Sequence, residues 1–531
     1  MSVCLRRAVP SPKHIPTKIL SRNASSSTNH DHIVVLGAGI SGLTAAFHLR
    51  RRFPDIRITV LDEQNRAGGW IQSDTVDLGP KYGRVLLEAG PRTLRPVSRP
   101  LLELVHLLNL ESELIITPKS APAATKRFLC LSKPDGQGLK ALPSSPLNMF
   151  FSPFFFTLLR AVLTERYWPP NRTQPIPVDE EKKASLSQSM KVYDDESVDS
   201  FLTRRFGPKV ARLFGSALVH GIYAGDSRRL SVRAAFPSLW DAEDRGKGSV
   251  ITGIVRTPKA AKNNDELEVG NLPTIMSNAS VFSFKNGLST ISSSLLQALA
   301  ASNVSLSLKS RVVNLRALES GVKVQLEGAE FIEASHVVSA LPLPRLDTLL
   351  PTNQRLPHLS FNPRSNVKVI NLVFPCKPTD IHPEGFGYLI PRPADGYDNA
   401  LSNILGVVFD SCALAAQDQP GQNPITKLTL MCGGPYATSV TEVSLDNLID
   451  QLFSHLSRPR MEPIHVREHD QKECIPLPLV GHLERMKMTK RIASEAPWNG
   501  RLQIIGADVD GAGIADCVKA GRVAAFELAR G

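Results

Sequence analysis

The sequence of 531 residues lacks the patterns that define several common classes of protein. It has no run of about 18 to 20 uninterrupted apolar residues, so no membrane-spanning helix is predicted. Its seven cysteines are an odd number without a CxxC pair, which argues against a disulfide framework and a structural zinc site. It has no HExxH motif and no GxSxG elbow, so zinc proteolysis and serine hydrolysis are not indicated. We therefore predict no metal site.

The excess of basic residues is uneven along the chain. The formal net charge is +12, but the first 30 residues contain Lys and Arg and no Asp or Glu. A basic, acid-free leader that contains serines is typical of organelle targeting. We therefore expect residues 1–31 to be a disordered mitochondrial transit segment, with a plain disordered tail as the alternative. Because part of the charge lies in this leader, no nucleic-acid partner is predicted.

A glycine-rich turn between an apolar strand and a helix follows the leader. Residues 32–36 are the predicted strand, 37–42 (GAGISG) the turn, and 43–52 the helix. In such a turn the first glycine allows the tight bend, and the second lets the backbone approach a pyrophosphate. The third glycine lets the helix pack on the strand, and the phosphate lies on the helix N-terminus, where N–H groups favour negative charge. The stretch therefore predicts a dinucleotide site.

An acidic residue follows at the distance expected for ribose recognition. Asp62 lies near the end of the second predicted strand (56–63), twenty residues after Gly42, where a carboxylate can accept hydrogen bonds from an adenosine ribose. Glu63 is the alternative for this role. The segments 66–70 (RAGGW) and 88–96 (EAGPRTLRP) add further glycine turns with arginines. An extended ligand that lies across several such turns favours FAD over NAD.

These features together resemble the flavin amine oxidase superfamily, in which a GG turn follows the acidic strand. Within it, three longer stretches are similar to the family that oxidises protoporphyrinogen: 221–240 (GIYAGDSRRLSVRAAFPSLW), 339–346 (SALPLPRL) and 481–528. The resemblance implies an α/β fold. Its parts are a Rossmann-like FAD-binding domain built from discontinuous segments, an α+β substrate domain and a mostly helical membrane-associated domain. The expected segments are 32–118, 278–345 and 480–531 for FAD binding, 119–225 for the helical domain, and 226–277 with 346–479 for substrate binding.

The resemblance also implies which residues form the site. FAD is expected to bind without a covalent link, at Gly37, Ala38, Gly39, Ile40, Ser41, Gly42, Asp62, Arg66, Gly69, Trp70, Gly90, Pro91, Arg92, Thr93, Val312, Ala507, Ala512, Gly513 and Ile514. Arg127 is expected to pair with a substrate propionate, and Gly221, Leu389, Val408 and Met431 are expected to form a flat apolar pocket. Such a slot suits a broad macrocycle with two carboxylates, because Arg binds a carboxylate through two parallel hydrogen bonds.

The activity that the resemblance implies is oxidation of protoporphyrinogen IX to protoporphyrin IX, the penultimate step of haem biosynthesis. Molecular oxygen would be the acceptor and hydrogen peroxide the by-product. No residue stands out as a dedicated acid or base, which suits hydride transfer to the N5 atom of the flavin. Two alternatives remain open: an FAD-dependent amine or polyene oxidoreductase of the same superfamily, and a non-catalytic flavin- or porphyrin-binding scaffold.

A phenylalanine-rich segment from Phe150 to Leu163 raises the question of a membrane contact. It is too short to span a bilayer, but its aromatic and basic residues suit a segment that lies in the interface. A core helix is the alternative. The resemblance also implies a peripheral position on the mitochondrial inner membrane, on the side of the intermembrane space, with a homodimer and product transfer to ferrochelatase.

Overall fold

The computed structural model describes residues 31–144, 152–165, 194–256, 267–397, 403–436 and 443–528. Two expectations from the sequence therefore lie partly outside the described residues: the leader, except for Asp31, and the start of the phenylalanine-rich segment. Within the described ranges, no helix is long and apolar enough to cross a bilayer.

The strands of the described residues come from all parts of the chain. They are β1 (His32–Leu36), β2 (Arg57–Leu61), β3 (Ser73–Asp77), β4 (Gly83–Glu88), β5 (Leu114–Pro118), β6 (Phe128–Leu131), β7 (Gly138–Ala141), β8 (Ala279–Phe284), β9 (Ser305–Ser307), β10 (Val312–Ala317), β11 (Val322–Leu326), β12 (Phe331–Ala334), β13 (His336–Ser339), β14 (Arg364–Phe374), β15 (Gly387–Leu389), β16 (Ile404–Val408), β17 (Gln419–Pro420), β18 (Thr426–Gly433), β19 (His465–Pro476) and β20 (Leu502–Ile504).

The helices lie between these strands and in one cluster of their own. They are α1 (Ile40–Arg52), α2 (Gly79–Tyr82), α3 (Arg99–Leu107), α4 (Pro122–Thr125), α5 (Phe155–Thr164), α6 (Val198–Phe206), α7 (Pro208–Val210), α8 (Ser216–Tyr223), α9 (Val232–Ala235), α10 (Pro237–Arg245), α11 (Val250–Val255), α12 (Leu272–Ile275), α13 (Ser289–Ala301), α14 (Leu343–Leu349), α15 (Pro378–Ile381), α16 (Asp410–Ala413), α17 (Leu445–Leu456), α18 (His482–Ser494), α19 (Ala507–Asp510) and α20 (Ile514–Glu527). A π-helical turn, Ala211–Gly215, joins α7 to α8.

A five-stranded parallel sheet in the order β20-β13-β1-β2-β9 holds the dinucleotide motif. Its central strand β1 is buried along its whole length, as an apolar run without alternation predicts. Ile33 and Val35 pack against α1, α13 and α20, whereas Val34 and Leu36 pack toward β10, β11 and α14. The expected Rossmann-like domain built from separated segments is confirmed, because its strands come from three distant parts of the chain.

A seven-stranded sheet in the order β19-β14-β18-β16-β15-β6-β7 forms the second large layer. Its pairs are antiparallel except for β15 with β6. Helix α17 covers one face, where Ile449 and Phe453 pack against Leu372 and Leu428. The other face lies toward the nucleotide-binding domain and carries most of the residues expected to bind substrate.

The helical part of the molecule differs from the expected segment 119–225. Strands β6 and β7 lie inside that segment but extend the seven-stranded sheet, because the apolar run of β6 pairs with β15 and is buried on both faces. Conversely, α9, α10 and α11 pack with α6 and α8 around Phe201 and Trp240, although they were expected in the substrate domain. The helical cluster is therefore shifted toward later residues.

Candidate functional site

The GAGISG turn has the geometry that its sequence predicts. The N–H of Gly37 donates to the carbonyl oxygen of Leu61 at 2.8 Å, which holds the turn against β2. A Cβ at Gly42 would lie 1.9 Å from the carbonyl oxygen of Gly37, so only glycine allows α1 to approach β1 this closely. Helix α1 begins after Gly39 without a side-chain cap and with no acid in its first turn. This N-terminus suits an anionic group.

Asp62 and Glu63 face different surroundings. One carboxylate oxygen of Asp62 accepts from the N–H of Ala38 at 2.7 Å, and the other accepts from the N–H of Gln64 at 2.8 Å. Glu63 instead lies half exposed, 3.4 Å from Arg345 and 3.7 Å from Arg311. The position next to the glycine turn therefore belongs to Asp62, and Glu63 belongs to a surface ion-pair group.

A second glycine turn packs directly on the first. The N–H of Gly68 donates to the carbonyl oxygen of Ala38 at 2.8 Å, and a Cβ at Gly69 would lie 3.1 Å from the Cα of Gly39. Arg66 stabilises this turn by donating to the carbonyl oxygen of Gly69 at 2.6 Å. Trp70 follows with a partly exposed side chain. Arg66 thus shapes the loop beside the anion-binding turn.

A third turn, residues 90–93, completes this group of backbones. A Cβ at Gly90 would lie 2.5 Å from the carbonyl oxygen of Trp70, so the two turns are in close contact. Arg92 is buried and donates to Asp410 at 3.2 Å and to the carbonyl oxygen of Gly90 at 3.4 Å. Pro91 and Thr93 flank it half-buried. Arg92 therefore ties its own turn to the seven-stranded sheet.

The C-terminal segment brings a second helix N-terminus to the same edge of the parallel sheet. Helix α20 begins after Gly513 without a side-chain cap, and Ala512 and Ile514 flank this start. A Cβ at Gly521 would lie 2.6 Å from the carbonyl oxygen of Ser41, so α20 packs closely on α1. Because both helices follow strands of one parallel sheet, their N-termini lie at its carboxyl edge.

Three further residues expected at the cofactor lie around this edge. Ile40 is largely buried in the first turn of α1, and Ala507 begins α19 directly after β20. Val312 is buried in the cluster that contains Leu36 and Leu61. The structure thus brings the predicted cofactor residues together from distant segments of the chain. Their individual contacts with a cofactor stay predictions.

A buried polar group next to the third turn was not predicted from the sequence. Glu88 accepts hydrogen bonds from the hydroxyl of Ser73 at 2.7 Å and the N–H of Leu288 at 2.8 Å. Burial raises the pKa of Glu88 to about 7, although these hydrogen bonds act in the opposite direction. Asn371 donates to the carbonyl oxygen of Glu88 at 3.2 Å, which links this residue to the seven-stranded sheet.

The same group continues across the sheet. Asn371 also donates to the hydroxyl of Thr429 at 2.8 Å, and Thr429 donates to Asp410 at 2.5 Å. Asn371 and Thr429 are polar residues within otherwise apolar strands, and this pattern in the sequence could have indicated a buried polar group. Their partners lie tens to hundreds of residues away, so the sequence could not pair them.

Leu389, Val408 and Met431 share one face of the seven-stranded sheet. Leu389 pairs with Gly406, which pairs with Met431, so these positions follow one another across three strands. Val408 lies two residues after Gly406 and therefore points to the same side. A Cβ at Gly221, on α8, would lie 2.8 Å from Leu389. The four residues expected to form an apolar wall are thus neighbours.

Arg127 lies at the end of this wall. Leu129, two residues later, pairs with Leu389, so Arg127 comes at the edge of the same sheet face. Its guanidinium lies 5.8 Å from the ring centre of Phe386 and lines a cavity of about 870 Å³. Burial and then the nearby charge of Arg95 lower the pKa of Arg127. The apolar residues of the wall do not line that cavity, which adjoins the wall at Arg127.

The described part of the phenylalanine-rich segment forms a helix. Helix α5 begins at Phe155, and Phe156 is 82% exposed, as an interfacial residue would be. Phe154 differs, because it is buried and its ring lies 5.1 Å from that of Phe214. Phe150 lies outside the described residues.

Cys517, in the first turns of α20, is buried, and burial raises its pKa to about 11. The described cysteines are all free thiols. In the part of the chain that the structure describes, no group of three or more His, Cys, Asp or Glu side chains is arranged to hold a metal ion.

Comparison with known proteins agrees with this arrangement. Residues 40–529 match the family of flavin-containing amine oxidoreductases. Protoporphyrinogen oxidase from Homo sapiens is 31% identical, and the match covers 93% of this chain and 98% of that protein. Protoporphyrinogen oxidase from Schizosaccharomyces pombe is 30% identical, with 94% and 98% covered.

A solved structure supports the fold independently. The crystal structure of an Exiguobacterium protein, provisionally named a protoporphyrinogen oxidase, superposes with a TM-score of 0.71 over 94% of this chain and 99% of that one. Its sequence identity is 19%, so this likeness concerns the fold alone. From the family match and the near-complete relatives, the chain belongs to the family of flavin-containing amine oxidoreductases.

Proposed function

We propose that this protein is an FAD-dependent oxidase that converts protoporphyrinogen IX to protoporphyrin IX. The observation that carries the proposal is the order of groups along one sheet face. Across the strands, the face runs from Met431 on β18 past Val408 on β16 and Leu389 on β15 to Arg127 beside β6. The Arg92–Asp410 pair lies at its edge, beside the nucleotide turns. A flat apolar ligand with a carboxylate at its edge suits this order.

FAD, held without a covalent bond, is the cofactor that the described residues suit best. The glycine turns at 37–42, 66–70 and 90–93 form one extended surface of backbone, which a longer dinucleotide can follow. The N-terminus of α1, which has no acid in its first turn, favours negative charge at the edge of this surface. Cys517 has a buried thiol with a raised pKa, which makes it a poor nucleophile for a flavin linkage.

The chain would act mainly by placing the substrate and excluding water. When bound, FAD supplies a ring nitrogen that accepts a hydride from a substrate carbon, and molecular oxygen takes up the electrons. Arg127 would orient the macrocycle through a propionate, while Leu389 and Met431 would cover its apolar surface. Gly221 leaves room beside Leu389, because any larger residue would intrude on this wall.

In total, three hydrides and three protons leave the macrocycle, and together these six electrons and six protons convert three molecules of oxygen to hydrogen peroxide. No side chain with an obvious acid or base role lies on the apolar wall of Leu389, Val408 and Met431. The protons would therefore leave through solvent at the open end, beside Arg127. Selectivity for the substrate would come from the apolar wall and Arg127, which together accept a flat apolar ligand with a carboxylate at its edge.

A peripheral membrane contact forms the second part of the proposal. Phe156 and Leu163 on α5 are exposed, and so are Ile254 and Val255 on α11. Glu165 accepts a hydrogen bond from Ser249 at 2.8 Å, which holds the end of α5 against the start of α11. Two neighbouring helices therefore present apolar side chains to solvent, as interfacial binding requires.

The cellular setting follows from this contact and stays a proposal. We place the protein at the mitochondrial inner membrane, on the side of the intermembrane space. A sparingly soluble product is best transferred along a membrane, so ferrochelatase is the proposed acceptor of protoporphyrin. A homodimer is also proposed. Light scattering of the purified protein and fractionation of mitochondria test these two points.

The activity is tested by substrate competition with the purified flavoprotein. Protoporphyrinogen IX, coproporphyrinogen III and a primary amine are supplied separately in air, and porphyrin fluorescence and peroxide are followed. We expect turnover of protoporphyrinogen IX and no peroxide from the amine. Coproporphyrinogen III is included because a Bacillus subtilis relative, 24% identical, is a coproporphyrinogen III oxidase. Preferred oxidation of coproporphyrinogen III or of the amine would contradict the proposal, and porphyrin binding without turnover would favour a scaffold.

A further inference from the structure

A basic cavity adjoins the apolar wall at Arg127. It has a volume of about 870 Å³ and lies between the start of α3, the end of β5 and the start of β8. Among the described residues, its basic lining residues are Arg95, Arg99, Lys119 and Arg127, and none of the described lining residues is acidic. A concave surface with several cations and no anion concentrates positive potential and attracts anionic ligands.

Three of these cations are not neutralised by the protein. Among the described residues, no carboxylate lies within 4.0 Å of Arg95, Lys119 or Arg127. The ammonium of Lys119 donates to the carbonyl oxygen of Ser277 at 2.9 Å, which fixes its position without cancelling its charge. Arg460, on another part of the surface, instead contacts three carboxylates at 2.8 to 2.9 Å.

The cavity also has an apolar floor. Leu102, Met276, Ala279 and Val281 are buried side chains that line it. A small inorganic anion would gain nothing from such a floor, whereas the edge of an apolar ring system would cover it. The combination of an apolar floor with a cationic rim is therefore suited to a carboxylate-bearing macrocycle.

We propose that Arg95 and Lys119 form a second carboxylate subsite beside Arg127, which makes the protein selective for macrocycles with at least two carboxylates on one edge. The identity of the ligand rests on the proposed function. Arg127 holds one propionate at the end of the apolar wall, and Arg95 with Lys119 holds the other inside the cavity. The two neighbouring propionates then determine which edge of the macrocycle stays outside the wall.

Binding of protoporphyrin IX and its dimethyl ester to the FAD-loaded protein tests this subsite without requiring turnover. The variants are Arg95→Gln, Lys119→Gln and the double variant. The matched control is Arg491→Gln, because Arg491 is an exposed arginine of α18 far from the cavity lining. Affinities are measured by fluorescence at one fixed ionic strength, since salt screens exposed charges.

We expect the wild-type protein and Arg491→Gln to bind the diacid at least tenfold more tightly than the ester. Each cavity variant is expected to lose at least about tenfold in affinity for the diacid, which is the loss expected when a hydrogen bond to a charged group is removed. Affinity for the ester should not change. Unchanged diacid binding, or an equal loss for diacid and ester, would overturn the subsite.

Inorganic phosphate separates a macrocycle site from a site for a free anion. If inorganic phosphate binds wild type and this binding is lost in the double variant, while diacid and ester bind equally, the cavity is a free-anion site and the proposal is wrong. The outcomes are also separate from those for the activity. If the protein oxidises protoporphyrinogen but the cavity variants bind the diacid like wild type, only the subsite is refuted. If binding depends on the carboxylates but no turnover occurs, only the oxidase activity is refuted.

Discussion

Arg92 donates a hydrogen bond to Asp410 at 3.2 Å, and this buried pair joins a nucleotide turn to the seven-stranded sheet. The two residues are 318 positions apart in sequence. Because Asp410 also accepts from Thr429, the contact fixes the turn relative to the strand that carries Met431. This ion pair, together with the hydrogen bond from Asn371 to Glu88, therefore sets the position of the nucleotide turn relative to the substrate surface.

Asp410→Asn should weaken both flavin retention and stability. The substitution leaves the guanidinium of Arg92 buried without its counter-charge, which costs about 3 kcal/mol in the free energy of unfolding. Urea unfolding and the ratio of flavin to protein absorbance measure the two effects. The exposed carboxylate of Asp395 provides the control, since Asp395→Asn should alter neither value. Full flavin content in Asp410→Asn would contradict the role given to this pair.

The two glycines at the start of α1 should respond differently to alanine. A Cβ at Gly42 would lie 1.9 Å from the carbonyl oxygen of Gly37, so Gly42→Ala is expected to destabilise the domain and abolish flavin binding. A Cβ at Gly39 would meet only the Cα of Gly69, at 3.9 Å. Gly39→Ala should therefore fold with a nearly unchanged melting temperature and lose flavin, because its methyl group blocks the pyrophosphate.

The comparison is made by circular dichroism and by flavin absorbance of both variants. Equal loss of folding in the two variants, or full flavin content in Gly39→Ala, would show that this turn does not lie against the diphosphate.

Glu88 should make stability fall with rising pH. Burial raises the folded-state pKa from 4.5 to about 7, so between these values the folded chain keeps a proton that the unfolded chain releases. The contribution is complete below pH 4.5 and is lost as the pH rises to 7, by about 2–3 kcal/mol. Glu88→Gln should remove this dependence. Urea midpoints of both proteins from about pH 5 to pH 8 provide the test, and parallel curves would contradict it.

Met431 and Leu430 are neighbours on β18 that face opposite sides of the sheet. Met431 lies on the proposed substrate wall, whereas Leu430 is fully buried under α17. Met431→Ala should raise KM for protoporphyrinogen severalfold and change stability little. Leu430→Ala should lower the free energy of unfolding by about 2–5 kcal/mol with KM unchanged. Steady-state kinetics and urea unfolding of both variants provide the test. A raised KM in Leu430→Ala together with a lowered free energy of unfolding in Met431→Ala would contradict the placement of Met431 on the substrate wall.

Phe156 and Leu163 should be required for membrane attachment. Both are exposed on α5, so the double variant Phe156→Ser with Leu163→Ser should leave stability and flavin content unchanged and release the protein from liposomes. Phe154→Ser is the informative contrast, because this buried residue should affect folding instead. Liposome flotation measures the release, and full retention of the double variant would exclude this surface as the contact.

Local patterns predicted much of this structure. The unbroken apolar run at 32–36 predicted a strand buried on both faces, and the spacing of Gly37, Gly39 and Gly42 predicted the turn and α1. These features depend on neighbouring residues only. Asp62 followed from a fixed spacing after the turn, and its position beside Ala38 agrees with that expectation.

Features that depend on distant contacts were not predicted. Asp410 begins a four-residue helix that carries no motif, and its importance comes from Arg92 and Thr429, which only the folded sheet brings near. Phe154 resembles its neighbours in sequence, but the fold buries it against Phe214. Arg95 and Lys119 likewise resemble surface cations until the fold places them around one cavity. Sequence patterns describe periodicity and turns, whereas partners across sheets require the tertiary structure.

The most direct test of the proposed activity is the reduction of the bound flavin by protoporphyrinogen IX without oxygen. The purified flavoprotein is mixed with anaerobic substrate in a stopped-flow instrument, and the visible absorbance band of the flavin is followed with porphyrin fluorescence. We predict rapid bleaching of the flavin, followed by return of the band and hydrogen peroxide when oxygen is admitted. A flavin spectrum that stays unchanged with saturating protoporphyrinogen would contradict the proposed oxidase.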